Sequence, residues 1–159
     1  MLAVINFVSF KLENHLLNLM TKVLVFGTFD IFHPGHEYFL KQAKKHGDEL
    51  VVVVARDSTV KNIKGKMPIN DEQYRLRVIQ ALDFVDKAVL GYESIDKYKI
   101  IEEIKPDIIC LGYDQSAFVD DLEKKLHELE LKTEIIRLGA YKPHLYKSSH
   151  YKTHQKQKE

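Results

Sequence analysis

The chain has 159 residues, 45% hydrophobic and 30% charged, with a formal net charge of +1. That length suits one domain with a proper core, and the near-neutral balance gives no global case for a nucleic-acid partner. A single cysteine, Cys110, excludes an intramolecular disulfide and fits a reducing, cytoplasmic setting. No apolar run reaches the roughly 18 residues that span a bilayer, so no membrane partner is expected.

Residues 1–19 open with an apolar run, Leu2 to Phe10, that no basic stretch precedes, and Lys11, Glu13 and His15 follow at once, which makes a poor signal peptide. Met20 directly precedes the first strand. The expectation is an N-terminal extension over 1–19 upstream of a true start at Met20, a domain over 20–150 and a basic tail over 151–159. The alternative is an extra helix packing through Leu16, Leu17 and Leu19.

Lys22 to Phe26 reads as a short apolar strand, and Glu37 to Lys45 as a helix with Tyr38, Phe39, Leu40 and Ala43 apolar, closed by Gly47 as a C-cap. Glu49 to Arg56 is β-branched and apolar, as in a strand buried on both faces. Asp57 or Ser58 caps a short helix through Ile63. Asn70 with Gln73 resembles a capping box, and the helix it opens carries Leu76, Val78, Ile79 and Leu82. Val85 to Leu90 gives a third strand. A helix from Asp96 to Ile104 stops before Pro106, and Asp107 to Leu111 is the fourth strand. Val119 to Leu129 is amphipathic through Leu122, Leu126 and Leu129, and Lys132 to Leu138 is the fifth strand. Strand–helix alternation implies an α/β fold, a doubly wound, mainly parallel five-stranded sheet with right-handed crossovers.

The chemistry concentrates in Gly27-Thr28-Phe29-Asp30-Ile31-Phe32-His33-Pro34-Gly35-His36. A strand, a turn and a helix start leave backbone N–H groups unpaired where the peptide dipoles favour an anion. Pro34 suits the first helical position, and Gly35 permits close approach of a phosphate to the backbone. His33 and His36, three apart, face one spot. Two imidazoles and free amides suit a polyphosphate that gains charge as its bond breaks. Zinc is the weaker reading, since no third ligand is evident, and no protein-held metal is expected.

Further along, Lys64 in the Lys64-Gly65-Lys66 loop is either a phosphate contact at the sheet's carboxyl end or part of a solvated loop. Arg75 either shapes the site or lies on the surface. Asp114, just past the fourth strand, is either a ribose or base acceptor or a turn residue. Cys110 is a small buried apolar residue unless its thiol pKa is low enough for redox chemistry.

Gly27-Thr28-Phe29-Asp30 followed by His33-Pro34-Gly35-His36 resembles the cytidylyltransferase-like nucleotidyltransferases, with their Rossmann-like fold. Val51 to Val60, Lys64 to Ile69, Ile104 to Asp107 and Leu111 to Gln115 extend the resemblance to the archaeal FAD synthases, over roughly Lys22 to Ser149. The resemblance implies transfer of AMP from ATP to FMN, giving FAD and pyrophosphate, with a divalent cation, Mg²⁺ by preference, held mainly by the ATP phosphates. It implies His33, His36 and Lys64 as catalytic groups. Thr28, Phe29, Pro34, Gly35, Asp114, Tyr141, Ser148 and Ser149 would contact ATP together with the two histidines, Tyr141 by stacking on the adenine. Asp30 and Arg75, with Lys64, would face the acceptor. Relatives are often homodimers. The glycerol-phosphate cytidylyltransferases carry an Arg-Thr-Glu-Gly-Ile-Ser-Thr-Thr run near the end. Here Gly139 to Tyr146 lacks that arginine, which counts against CTP and leaves Arg137 or Lys147 to replace it. Glycerol-3-phosphate cytidylyltransferase, a sugar-phosphate adenylyltransferase and a non-catalytic nucleotide-binding module are the alternatives.

Overall fold

A computed structural model describes residues 9–12, 15–16, 19–93, 98–116, 119 and 121–141. The apolar runs become β1 (Lys22–Gly27), β2 (Glu49–Val54), β3 (Lys87–Leu90), β4 (Ile108–Leu111) and β5 (Glu134–Arg137). They form one sheet in the order β3-β2-β1-β4-β5, and every pairing is parallel. Between them lie α1 (Pro34–Lys44), α2 (Asp57–Lys64), α3 (Glu72–Gln80), α4 (Lys99–Ile104) and α5 (Leu122–Glu128).

The unbroken Val51-Val52-Val53-Val54 run has its explanation in two cores. Leu50, Val52 and Val54 pack with Val23 and Val25 of β1 against Leu40 and Ala43 of α1 and Ile79 of α3. Val51 and Val53 pack with Leu24 and Ile109 against Ile100 and Ile101 of α4 and Leu122 and Leu126 of α5. Helices on both faces remove the polar side that an alternating strand would need. The register fixes which face each residue joins: Val25 lies opposite Val52 on one side and Cys110 on the other. Cys110 is therefore buried, and burial pushes its thiol up to about 11. A thiol held protonated at neutral pH has no nucleophilic or redox readiness, which leaves the small apolar reading.

The strand order reverses between β1 and β4. In an open parallel sheet that reversal opens a crevice beyond the strands' carboxyl ends. Gly27 and Leu111 end there, so the histidine-bearing turn and the loop after β4 flank the same crevice.

Three local expectations and one alternative need correction. Asp57 and Ser58 do not cap α2; both lie inside it, and Arg56 precedes it. Gly47 does not cap α1; Lys45 does, in ordinary right-handed geometry. Gly47 is small because a Cβ there would lie 2.5 Å from the Thr21 carbonyl oxygen. Asn70 does not cap α3; the Asp71 carboxylate does, accepting from the Tyr74 N–H at 2.8 Å. Leu16 and Leu19 do not pack on the domain: residues 9–12 and 15–16 are helical, and both leucines are exposed. Leu17, the Asp96 helix start, Lys147, Ser148 and Ser149 lie outside the described residues. Among the described residues, no helix is long and apolar enough to cross a membrane.

Candidate active site

β1 stops at Gly27 because the chain folds back on it. Phe29 adopts a left-handed φ of 51° and lays its ring over Gly27, where an added Cβ would meet ring carbons at 2.4 Å. The same ring stands edge-on to His36, centroids 5.3 Å apart. Gly27→Ala is expected to displace Phe29 and cost about 1–3 kcal/mol, as overpacking does. The urea midpoint reads this, and an unchanged midpoint would show that the ring is not seated there.

α1 begins at Pro34, the first helical position expected for it, and takes in the turn before the Glu37–Lys45 stretch, so the histidine motif is itself the helix start. His33 is the N-cap in extended geometry, and its Nδ1 accepts from the Gly35 N–H at 3.1 Å. A neutral imidazole that accepts at Nδ1 carries its proton on Nε2, which makes Nε2–H its donor. The amides of His36 and Glu37 both donate to the His33 carbonyl, at 2.9 and 3.2 Å. Pro34 has no N–H. The expectation of bare amides in the first turn is thus corrected. His33 caps the helix through its own ring and carbonyl, which leaves side chains to greet an anion.

The two imidazoles are brought together as expected. Their rings stack with centroids 3.8 Å apart and 20° between planes. Phe29 and Phe32 flank His36. Burial, with the neighbouring His33 and Lys64 adding to it and Asp30 opposing, lowers the His36 pKa to about 3. Burial also lowers that of His33. Both rings are neutral at pH 7, so they act as N–H donors rather than as cations. His36 Nδ1 is buried and has no hydrogen-bond partner among the described residues.

The depressed pKa has a stability consequence. The unfolded imidazole takes up a proton below pH 6.5 that the folded one refuses until about pH 3. The contribution of neutral His36 is therefore complete above pH 6.5 and is lost progressively as pH falls toward 3. A His36→Asn variant is expected to lose less stability than the parent across that window. Urea midpoints measured against pH check this, and parallel curves would contradict it.

Lys64 reaches the same turn from the end of α2, its Nζ donating to Thr28 Oγ1 at 3.2 Å. Thr28, His33, Pro34, Gly35, His36 and Lys64 thus share one rim, with the Phe29 ring buried beneath it. Asp30 and Arg75 do not lie open to a ligand, which corrects their assignment to the acceptor; of the two readings of Arg75, the structure favours the one in which it shapes the site, not the surface one. Asp30 is 3% exposed, and its Oδ1 accepts from the amides of Ile69 at 2.8 Å and Asn70 at 2.9 Å. Arg75 is fully buried. It donates to the carbonyls of Thr28 at 2.6 Å, Ala55 at 2.8 Å and Asn70 at 3.0 Å, and pairs with Asp57 at 2.6 Å. It ties the turn after β1 to the end of β2 and so holds the site from behind.

Glu72 joins this scaffold. Against the cost of its burial, the Asp57 N–H and the Arg56 guanidinium hold its carboxyl below the usual range. Across the crevice Asp114 is exposed. Its neighbour Gln115 donates from Nε2 to the Phe26 carbonyl at 3.0 Å and accepts from the Gly112 N–H at 3.0 Å. Arg137 clasps the same loop by donating to the carbonyls of Gly112 and Gln115. Tyr141, expected on an adenine, stacks on Tyr38 of α1 with centroids 4.9 Å apart.

Sequence reading did not single out Tyr38, Asp57, Glu72 or Gln115 for the site. The signal available for Gln115 was its place just past β4, beside Asp114. A separate groove of about 440 Å³ over β2 and β3, bordered by Val51, Val89, Tyr92 and Ile100, is lined by none of the candidate residues.

The stretch from residue 24 to 154 matches the cytidylyltransferase-like family model. A Thermoplasma volcanium protein named FAD synthase is 50% identical over 130 residues, covering 82% of this chain and 90% of its own. One from Methanohalophilus mahii is 51% identical, covering 79% of this chain and 84% of its own. One from Pyrococcus horikoshii is 46% identical, covering 83% and 86%. Among solved structures, a lipopolysaccharide core biosynthesis protein from Thermoplasma volcanium GSS1 superposes with a TM-score of 0.72 at 51% identity, covering 77% of this chain and 98% of that one. A pantoate-beta-alanine ligase from Francisella tularensis shares the fold at 16% identity and a TM-score of 0.55, covering 77% of this chain and 60% of its own.

Proposed function

The chain belongs to the cytidylyltransferase-like family, and we propose that it transfers AMP from ATP to FMN, giving FAD and pyrophosphate. The stacked His33–His36 pair, neutral and beside Lys64 at the sheet's reversal point, carries the nucleotidyl-transfer part of this reading. The FAD synthase relatives near 50% identity carry the choice of acceptor.

The FMN phosphate oxygen attacks the α-phosphorus of ATP in line. The bond from that phosphorus to its β-bridging oxygen breaks, and pyrophosphate leaves with the electron pair. No covalent protein intermediate is needed. The protein's task is to hold two anions in line and to meet charge as it moves onto the leaving oxygens. Imidazole N–H groups in a buried site do the second, and the Lys64 ammonium screens the phosphates. His33, His36, Thr28, Phe29, Pro34 and Gly35 would contact ATP, with Asp114 and Tyr141 on the nucleoside side. Asp30 and Arg75 serve by fixing the rim. Among the described residues no three His, Cys, Asp or Glu side chains converge as a metal site. The residues described do not fit a resident ion, and a divalent cation would arrive on the polyphosphate.

A sugar-phosphate adenylyltransferase is the second reading, favoured by the name of the Thermoplasma volcanium structure. Pyrophosphate release decides among three arms: ATP with FMN, ATP with a heptose phosphate, and CTP with glycerol 3-phosphate. Release in the first arm alone is expected, with FAD as coproduct. Release in none would leave a binding module. Assembly as a homodimer is part of the proposal and is read by light scattering.

A further inference from the structure

Residues 64–70 form a strap fastened at both ends to the turn that carries the motif. At one end Lys64 Nζ donates to Thr28 Oγ1. At the other, the amides of Ile69 and Asn70 donate to Asp30 Oδ1, and the Asn70 side chain donates to the Asp30 carbonyl. Gly65 leaves α2 in left-handed geometry, φ 70°, which starts the strap away from the helix axis.

The strap is tied through the Lys64 and Asn70 side chains and through backbone amides, and it carries apolar side chains at and between those ties. Ile63, Met67 and Ile69 are 51%, 53% and 51% exposed. A single exposed apolar side chain is ordinary, but Met67 and Ile69 on the strap, with Ile63 at the end of α2 just before it, are three within seven residues, each of which gains by being covered. The ties hold the segment at the turn that carries the imidazoles, so a group attached to a phosphate bound there is the natural partner for these side chains. Methionine suits a flat aromatic partner, being flexible and polarizable, with favourable sulfur–ring contacts.

We propose that this strap receives the isoalloxazine ring of the acceptor, with Met67 and Ile69 against the ring and Lys64 on the FMN phosphate. The inference rests on the FAD-forming reading above and deepens it. It makes the strap the part of the molecule that distinguishes a flavin phosphate from a sugar phosphate, which has no apolar plane to cover these side chains.

Met67→Gln, Ile69→Gln and the double variant test it. Both side chains are half exposed, and the Ile69 amide that binds Asp30 survives substitution, so thermal unfolding is expected to be unchanged. The double variant is expected to raise the KM for FMN by about tenfold, with KM for ATP and kcat within about twofold, since the lost contact is apolar burial of roughly 1–2 kcal/mol. Quenching of flavin fluorescence on titrating protein into FMN is expected to weaken in parallel. Met67→Leu, which keeps the apolar bulk and loses the sulfur, is expected to raise the KM for FMN less than Met67→Gln does. If the parent makes FAD but the variants keep their KM for FMN, or shift that for ATP instead, the strap assignment is overturned while the activity stands. If the parent releases no pyrophosphate with FMN, the activity and the assignment fall together.

Discussion

Alanine at His36 is expected to lower kcat for pyrophosphate release by roughly 10²–10³, the cost of removing one donor from developing negative charge. The expectation follows from the state of the ring. Packed among Phe29, Phe32 and His33, with a pKa lowered to about 3, the imidazole is neutral before substrate arrives. It offers no standing positive charge to ATP in the ground state, so its removal should change KM for ATP far less than kcat. Its N–H strengthens as a donor only when the leaving oxygens acquire charge, which is the condition for a group that acts on the rate. His33→Ala is a less clean test, because that ring also caps α1 through Gly35. Single-turnover rates with saturating ATP and FMN separate chemistry from release. Unchanged turnover in His36→Ala would remove the imidazole pair from the mechanism.

The parts of the fold that sequence made legible are those where one physical demand dominates. β2 was visible because burial on both faces leaves no place for a polar residue, and the sheet covers Val51 to Val54 from both sides. The histidine pair was visible because residues three apart on a helix start meet, and they do. What was not legible involved partners distant in sequence. Arg75 read as site-shaping or surface, with the resemblance placing it toward the acceptor, because a charged residue in a helix is usually solvated and nothing local names its partners. It lies four before Ile79, on the face that helix buries, and its partners come from Thr28, Ala55 and Asp57. Asn70 and Asp71 are both good caps. The choice went to Asp71 because Asn70 is drawn to the Asp30 carbonyl. The bare amides failed for a local reason that spacing does not reveal. A histidine at the N-cap can fold its own Nδ1 onto the second helical amide.

Arg75→Ala is expected to destabilise the protein by about 3–5 kcal/mol, the range for removing one member of a buried ion pair. At this chain length that lowers Tm by roughly 10 °C. The arginine is wholly buried, and four of its N–H donors are engaged: one on Asp57 and three on backbone carbonyls. Truncation leaves those acceptors without a donor in a space too closed for water to replace the guanidinium freely. Arg75→Lys restores the charge but not the planar fork, so one ammonium cannot reach Thr28, Ala55, Asn70 and Asp57 together. Lysine should therefore recover only part of the loss. An Asp57→Ala partner completes a double-mutant cycle, and coupling well above zero is expected. Activity should fall along with stability, because this side chain joins the Thr28 turn to the segments after β2 that it touches. Denaturant melts in which Arg75→Ala matches the parent would mean that the guanidinium sits in solvent, and the scaffold behind the imidazole pair would have to be sought elsewhere.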